Sequence, residues 1–363
     1  MKVLHILYSG LGGHGNVFFS MLDADEANEF DFVPVFFGVE EVREEYIKKA
    51  EANNLKWFFV KKKPGIDLEA YNELTSIIKA QLPDIIFLHS SAYIFPARKA
   101  VKQSAKKIKI IVRETQANHL KTKQEWLGLC IALLKADKVV FLSKEYRDAV
   151  RKKLYFIFRN KKTVVIPNGI NLQLFSPSPA HDNVIRIGMQ SRLTASKDHE
   201  TLIKAFAECI TVNKTGKKIE LHIAGDGEMK QDLQQLAILL GIQNNVVFTG
   251  LLPVNELPAF INSLTIYVHA TLGETMSTAI MQVMACRVPV IASDVLGVDN
   301  MIKNDETGLL VQVKNESALC NRIIYLIDNP DLADRLAGNA FNFAKENYSN
   351  KKMLQSYKAI FTD

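Results

Sequence analysis

Residues able to grip a phosphorylated ligand recur along the later half of the chain. An apolar run ends in Gly188-Met189-Gln190-Ser191-Arg192-Leu193, and Lys197 follows five residues after Arg192. Arginine can clamp two oxygens of a diphosphate in its planar fork, and lysine adds a point charge. A solvated surface pair is the plain alternative. Ala224-Gly225-Asp226-Gly227-Glu228 closes another apolar run, where Gly225 and Gly227 either line a nucleotide pocket or simply turn the chain. The densest stretch runs from Val268 to Cys286 and on through Val288-Pro289-Val290. Its spacing predicts a strand ending near Ala270, a polar loop holding Glu274, and a helix starting near Ser277 or Thr278. Met276, Ser277 and Thr278 then offer helix-start amides to an anion. Gln282 stands eight residues after Glu274, about two turns inside that helix. Taken alone, Glu274 reads first as a carboxylate interacting with the helix dipole.

An earlier motif, Gly10-Leu11-Gly12-Gly13-His14-Gly15-Asn16, follows the first apolar run and precedes another, Val17–Leu22. Glycines let a backbone turn sharply and bring its amides to a ligand at the positive end of the next helix. The acidic residue that a dinucleotide site needs about 20 positions on is missing. A tight strand–helix turn without a ligand is the alternative.

These motifs fall at the ends of short strands. In the first half the strands are predicted at Lys2–Tyr8, Phe32–Phe37, Trp57–Val60, Ile85–Leu88, Lys109–Val112, Lys138–Leu142 and Thr163–Ile166. Leu68–Gln81 and Ile94–Lys106 carry helical patterns between them. A second set follows at Ile185–Gln190, Ile219–Ala224, Asn245–Thr249, Ile266–Ala270, Val288–Ala292 and Gly308–Val311, separated by Thr201–Val212, Met229–Leu240 and Thr278–Cys286. Continuous apolar strands alternating with helices predict parallel sheets covered on both faces. Pro167-Asn168-Gly169 is the turn at the boundary. The expected architecture is α/β, with two Rossmann-like domains facing each other across a cleft and ligands at the carboxyl ends of the strands.

At 363 residues, the chain is long enough for two such domains. Its 48% hydrophobic and 23% charged residues exclude a disordered or fibrous chain. No run approaches the roughly 18–20 apolar residues of a membrane span. The apolar run Val3–Tyr8 is too short for a signal-peptide core, so a cytoplasmic location is expected. Cys130, Cys209, Cys286 and Cys320 show no metal-ligand spacing and read as reduced, buried thiols. Residues 1–175 carry 28 Lys/Arg against 19 Asp/Glu, and the remainder 17 against 20. That basic first half suits phosphate groups or an anionic membrane surface; nucleic-acid motifs are absent.

In this order, the motifs resemble those of family 4 glycosyltransferases (glycosyl transferases group 1) of the GT-B fold, a retaining, nucleotide-sugar-dependent group. The carrying residues are Ile166-Pro167-Asn168-Gly169-Ile170, Ser191-Arg192-Leu193 with Lys197, Ala224-Gly225-Asp226-Gly227, Gly273-Glu274, Met284-Ala285-Cys286 with Val288-Pro289-Val290, and Glu306-Thr307-Gly308-Leu309-Leu310. The resemblance implies that Arg192 and Lys197 hold the donor diphosphate and that Glu274 contacts the donor sugar. Gln282 stands where the family has a ribose-binding Glu, and Asn300 where a Glu often occurs. Gly12 and Gly13 resemble the acceptor-side loop, with His14 beside them. The family often has a histidine after its fourth or fifth strand. Here that stretch reads Val112-Arg113-Glu114-Thr115-Gln116-Ala117-Asn118-His119, with Thr115 in the usual place and His119 nearby. His89 follows the strand Ile85–Leu88 in an Asp-x-x-x-x-His context that often lines the cleft.

The expected domains are 1–168 plus a C-terminal helix of about 343–363 crossing back, for the acceptor, and 169–342, for the donor. The expected activity moves a sugar from a nucleoside-diphosphate sugar to a hydroxyl of a sugar or lipid-linked acceptor, without a metal or other cofactor. Leaving-group charge on the diphosphate would meet Arg192, Lys197 and the helix start. Envelope polysaccharide, lipopolysaccharide or glycolipid synthesis is the implied setting. Another GT-B enzyme, such as a nucleotide-sugar epimerase, and a catalytically silent binding subunit are the alternatives. The stretch Arg147–Arg159 mixes cations with aromatics and reads either as a surface for anionic lipid or as a solvated face.

Overall fold

The structure is a computed structural model and describes residues 1–10, 13–178 and 183–363, with His119 described by its backbone alone. Gly12 therefore lies outside the described residues, as does the side chain of His119. The chain divides into two compact units, Met1–Gly169 with Asn350–Asp363, and Ile170–Ser349.

The first unit is built on seven parallel strands: β1 (Lys2–Leu7), β2 (Asp31–Gly38), β3 (Phe58–Lys61), β4 (Ile85–Leu88), β5 (Lys109–Glu114), β6 (Lys138–Phe141) and β7 (Thr163–Val165). Their order in the sheet is β3-β2-β1-β4-β5-β6-β7. Helices α1 (Gly13–Ala24), α2 (Glu44–Ala52), α3 (Leu68–Gln81), α4 (Ile94–Lys102), α5 (Lys123–Lys135) and α6 (Lys144–Lys153) connect them. The strands are almost wholly buried because helices cover both faces. Side-chain caps fix several helix starts: Asp67 on α3, Ser143 on α6, and a reciprocal Thr122–Glu125 capping box on α5. Helix α1 begins at Gly13, four residues before the apolar stretch that announces it, so His14 stands in its first turn.

The second unit repeats the plan with six parallel strands: β8 (Ile185–Gln190), β9 (Ile219–Ala224), β10 (Val246–Gly250), β11 (Ile266–His269), β12 (Val290–Ser293) and β13 (Leu309–Val311). They lie in the order β10-β9-β8-β11-β12-β13. Helices α7 (His199–Val212), α8 (Lys230–Leu239), α9 (Leu257–Asn262), α10 (Thr278–Ala285), α11 (Glu316–Asp328) and α12 (Pro330–Asn347) complete it. In both sheets the strand order reverses beside the first strand, at β1/β4 and at β8/β11. Outside the carboxyl ends at such a reversal, a doubly wound sheet leaves a crevice for a ligand.

A last helix, α13 (Asn350–Thr362), returns to the first unit. It buries Met353, Leu354, Tyr357, Ile360 and Phe361 in the core that holds Phe18, Phe87 and Ile166. The expected helix over 343–363 is thus two helices, broken at Tyr348-Ser349. There Tyr348 leaves the helix at φ −120°, ψ 21°, and Ile170 donates its amide to the Tyr348 carbonyl at 2.8 Å and bridges to Ser349. A continuous helix could not supply that bridge.

Candidate functional site

In the second unit, β8 ends at Gln190 and the loop Ser191–Asp198 leads into α7. Arg192 is exposed, while Lys197 is partly covered. A neighbouring loop holds this backbone closely. Gly225 has φ +145°, and a Cβ there would lie 1.8 Å from the Ser191 carbonyl oxygen. The Leu193 amide donates to the Asp226 carbonyl at 2.9 Å, and the Met229 amide to the Leu193 carbonyl at 3.0 Å. A Cβ on Gly227 would likewise approach the Leu193 carbonyl, at 2.4 Å. Close loop-on-loop packing therefore explains both glycines, and their part is to set where Arg192 starts.

Strand β11 brings the other half of the arrangement. The loop after it is tied to the first by the Leu272 amide, which donates to the Ser196 carbonyl at 2.9 Å, and by the Thr271 hydroxyl, which donates to the same oxygen at 3.2 Å. Glu274 Oε1 then receives two nitrogens, Lys197 Nζ and His269 Nε2, the latter at 2.9 Å. His269 is 1% exposed, and its Nδ1 lies 3.4 Å from the Tyr267 hydroxyl. That hydroxyl also accepts the Gln190 amide at 3.3 Å, and its one proton is shared between the Gln190 carbonyl, at 3.2 Å, and His269 Nδ1. Burial, then Lys197 and His199 beside it, hold the His269 imidazole well below its ordinary range, so it is neutral. Its one proton sits on Nε2, facing the carboxylate. Burial, then Arg192, push Lys197 down to about 7, and the Glu274 carboxylate pulls the other way. His199, which meets the Ser191 hydroxyl at 3.0 Å, is pushed to about 4, by burial first and Lys197 second.

The start of α10 departs from expectation. Ser277 caps the helix, its hydroxyl accepting the Ile280 amide at 3.4 Å, and its own amide donates to the Met301 sulfur at 3.2 Å. Both groups are thus engaged within the unit, because Met301 packs under the loop. Met276 and Thr278 flank it, and Thr278 opens the helix. Gln282 is also turned inward. It is 5% exposed, and its Oε1 accepts from Gln190 Nε2 at 2.5 Å, so its carbonyl is not open to a ribose.

The first unit uses its polar groups differently. His14, half-buried, accepts the Tyr8 amide on Nδ1 at 3.3 Å and meets the Thr115 hydroxyl with Nε2 at 3.2 Å. Thr115 in turn donates to the His89 carbonyl at 3.3 Å. Gly13 has no atom within 4 Å of where a Cβ would stand. His89 itself is fully buried, its Nε2 3.0 Å from His5 Nδ1, with the Phe87 ring against both imidazoles. Burial holds both imidazoles neutral, His5 at about 3 and His89 well below its ordinary value. Arg113 and Glu114 are 2% and 1% exposed. Arg113 donates to Asn168, and burial lowers its pKa. Glu114 pairs with Lys121 at 3.3 Å and accepts the Gln116 amide at 3.2 Å. The side chains of His89, Arg113 and Glu114, expected to line a cleft, are therefore interior groups. The unit covers their strand ends with its own core and with the segment that carries Lys121.

The structure thus brings Arg192, Lys197 and Glu274 together in one unit, and His14 with Thr115 in the other. Tyr267, His269, Gln190 and His199 escaped the sequence reading. One signal was available: strand alternation places Tyr267 and His269 on one face, two polar-tipped residues in an otherwise apolar strand.

Comparison with known proteins accounts for most of the chain. The glycosyl transferases group 1 family matches residues 173–343, and Glycosyltransferase Family 4 matches residues 11–174. An uncharacterized glycosyltransferase of Methanocaldococcus jannaschii is 31% identical over 238 residues, covering 62% of this chain and 58% of the relative. An Escherichia coli UDP-Gal:alpha-D-GlcNAc-diphosphoundecaprenol alpha-1,3-galactosyltransferase is 22% identical over 317 residues, covering 82% and 80%. The Anabaena protein Alr3699/HepE, solved in complex with UDP and glucose, superposes with a TM-score of 0.85 at 18% identity over 100% of both chains. The chain spans about half the length of several of the curated relatives it matches.

Proposed function

The chain belongs to the group 1, family 4 glycosyltransferases of GT-B fold, and from that premise we propose that it transfers a sugar from a nucleoside-diphosphate sugar to a hydroxyl acceptor with retention of configuration. The observation that carries this reading is the convergence of Arg192, Lys197 and Glu274 at the strand-order reversal of the second sheet. Arg192 is exposed and has no acidic partner among the described residues, so its planar fork is free for a diphosphate. Lys197 bonds the Glu274 carboxylate and feels the Arg192 charge. When the sugar–phosphate bond breaks, negative charge grows on the leaving diphosphate, and the two cations stabilise it. Glu274 faces the sugar. These cations take the charge-neutralising part that a metal plays elsewhere, which makes the proposed transfer metal-independent.

Acceptor recognition is assigned to the first unit, at Gly13, His14 and Thr115. A lipid-linked or growing-polysaccharide acceptor is the reading favoured by the E. coli relative, whose name specifies a diphosphoundecaprenol substrate. Among the described residues, no helix is long and apolar enough to cross a membrane. The first unit carries a different device for meeting one: Tyr155 and Phe156 are 76% and 62% exposed, beside the exposed cations Arg151, Lys152, Lys153 and Arg159. Aromatic side chains among cations match an anionic lipid surface from the cytoplasmic side.

The deciding experiment is a thermal-shift comparison of UDP with UDP-glucose, GDP with GDP-mannose and ADP with ADP-glucose. A ligand that binds only the folded state raises the melting temperature. At least one pair is expected to do so with EDTA present. No shift with any of the six removes the donor-site reading.

A further inference from the structure

Glu274 Oε1 is held by two donors of unlike character. Lys197 reaches it on a flexible four-carbon stem, and the same ammonium is the group assigned to the diphosphate. A bound donor draws it away from the carboxylate. His269 is fixed: it ends β11, is 1% exposed, stacks against the Tyr267 ring at 6.1 Å between centroids, and meets the Tyr267 hydroxyl through Nδ1. Tyr267 is fixed in turn by both backbone groups of Gln190. The carboxylate's approach is constrained as well, since Gly297 leaves room for the Glu274 carbonyl oxygen, which would lie 2.0 Å from a Cβ at that position. Glu274 Oε2 has no hydrogen bond among the described residues. Once Lys197 turns to phosphate, His269 is the one described side chain still holding the carboxylate.

We propose that His269 is a positioning residue for the donor sugar: its Nε2–H pins Glu274 Oε1 from the core side, so that Oε2 stays aimed at a sugar hydroxyl while Lys197 serves the diphosphate. This rests on the donor-site reading above. A neutral imidazole suits the task, because it offers one proton to the carboxylate and adds no charge to compete with Lys197 for the leaving group.

The test is calorimetric and uses the full-length protein with the nucleotide and its sugar conjugate that shift the melting temperature most. The quantity read is the ratio of the two affinities, which isolates the sugar contact. His269→Leu is expected to keep bare-nucleotide affinity within about twofold and to lower the ratio about tenfold, as losing a hydrogen bond to a charged group does. Glu274→Ala lowers it at least as far. His269→Gln, which restores an N–H donor at similar reach, returns the ratio to within about threefold of the parent. An unchanged ratio in His269→Leu beside a lowered one in Glu274→Ala overturns the inference and leaves the donor site standing. Loss of bare-nucleotide binding in His269→Leu, or no recovery in His269→Gln, also overturns it, in favour of a packing role. A ratio indifferent to Glu274→Ala ends both.

Discussion

The two sheets share a topology, yet the residues at their strand ends are spent in opposite ways. Along β1, β4 and β5, His5 and His89 bond to each other, Arg113 to Asn168 and Glu114 to Lys121, all inside the unit. At the β8/β11 end, Arg192 is exposed, and Lys197 and Glu274 keep 16% and 11% of their side chains accessible. Equivalent positions in a fold therefore say where a ligand can sit. Whether one does is decided by how many of the charges stay accessible. In the first unit these charges are sealed in the interior, at 0% and 2% side-chain exposure for Lys121 and Glu114, while in the second they stay within reach of a partner.

The sharpest way to break this contrast is at the first unit's ion pair. Lys121→Met leaves Glu114 buried without its cation and should cost about 3–5 kcal/mol of stability, read as a fall in the urea midpoint. Nucleotide affinity of the folded fraction should stay unchanged. Should stability hold and nucleotide binding fail, the division of labour is wrong. Next in size, Arg192→Ala should cut transfer about 10²–10³-fold with the melting temperature unmoved, as removal of one charge-stabilising donor does. A stability loss there would mean the guanidinium is structural.

The third prediction concerns pH. Lys197 is pushed from 10.5 to about 7 by burial, then by Arg192. Above about 7 the unliganded protein loses the ammonium that a diphosphate needs, so nucleotide affinity should fall by up to about tenfold per pH unit. Stability moves the other way. The unfolded chain binds the lysine proton more tightly than the folded one between about 7 and 10.5, so this group's contribution rises with pH across that window. Lys197→Arg stays charged throughout and should flatten both trends. Titration calorimetry at pH 6 and pH 8 on both proteins checks it.

Much of the fold was legible because most strands are short apolar runs buried on both faces, the edge strands β3, β7 and β10 excepted, a pattern fixed by local composition. The same holds for Arg192, Lys197 and Glu274, whose place at strand ends follows from the alternation. His269 and Gln190 were not legible as partners. His269 meets Glu274 five residues away, but only through the turn at Gly273; Gln190, at the end of β8, meets Gln282 of α10 across 92 residues of sequence. The inward fate of Arg113 and Glu114 was likewise hidden, since it depends on Asn168 and Lys121, which the sequence places 55 and 7 residues away. The break at Tyr348-Ser349 depends on Ile170, nearly half the chain earlier. Local pattern writes the elements; distant pairing decides which side chains they keep for themselves.

Helix α13 sets the order in which the molecule can be made. The core of the first unit is incomplete until Tyr357 and Phe361 arrive, and the whole segment Ile170–Ser349 must leave the ribosome before them. At roughly 5–20 residues per second, that is a delay of about 10–40 s. During this interval the earlier half of the nascent chain presents an unfilled apolar trough, which stays open until the later half has been made. Synthesis therefore lets residues made after Ser349 seal a core laid down before Ile170.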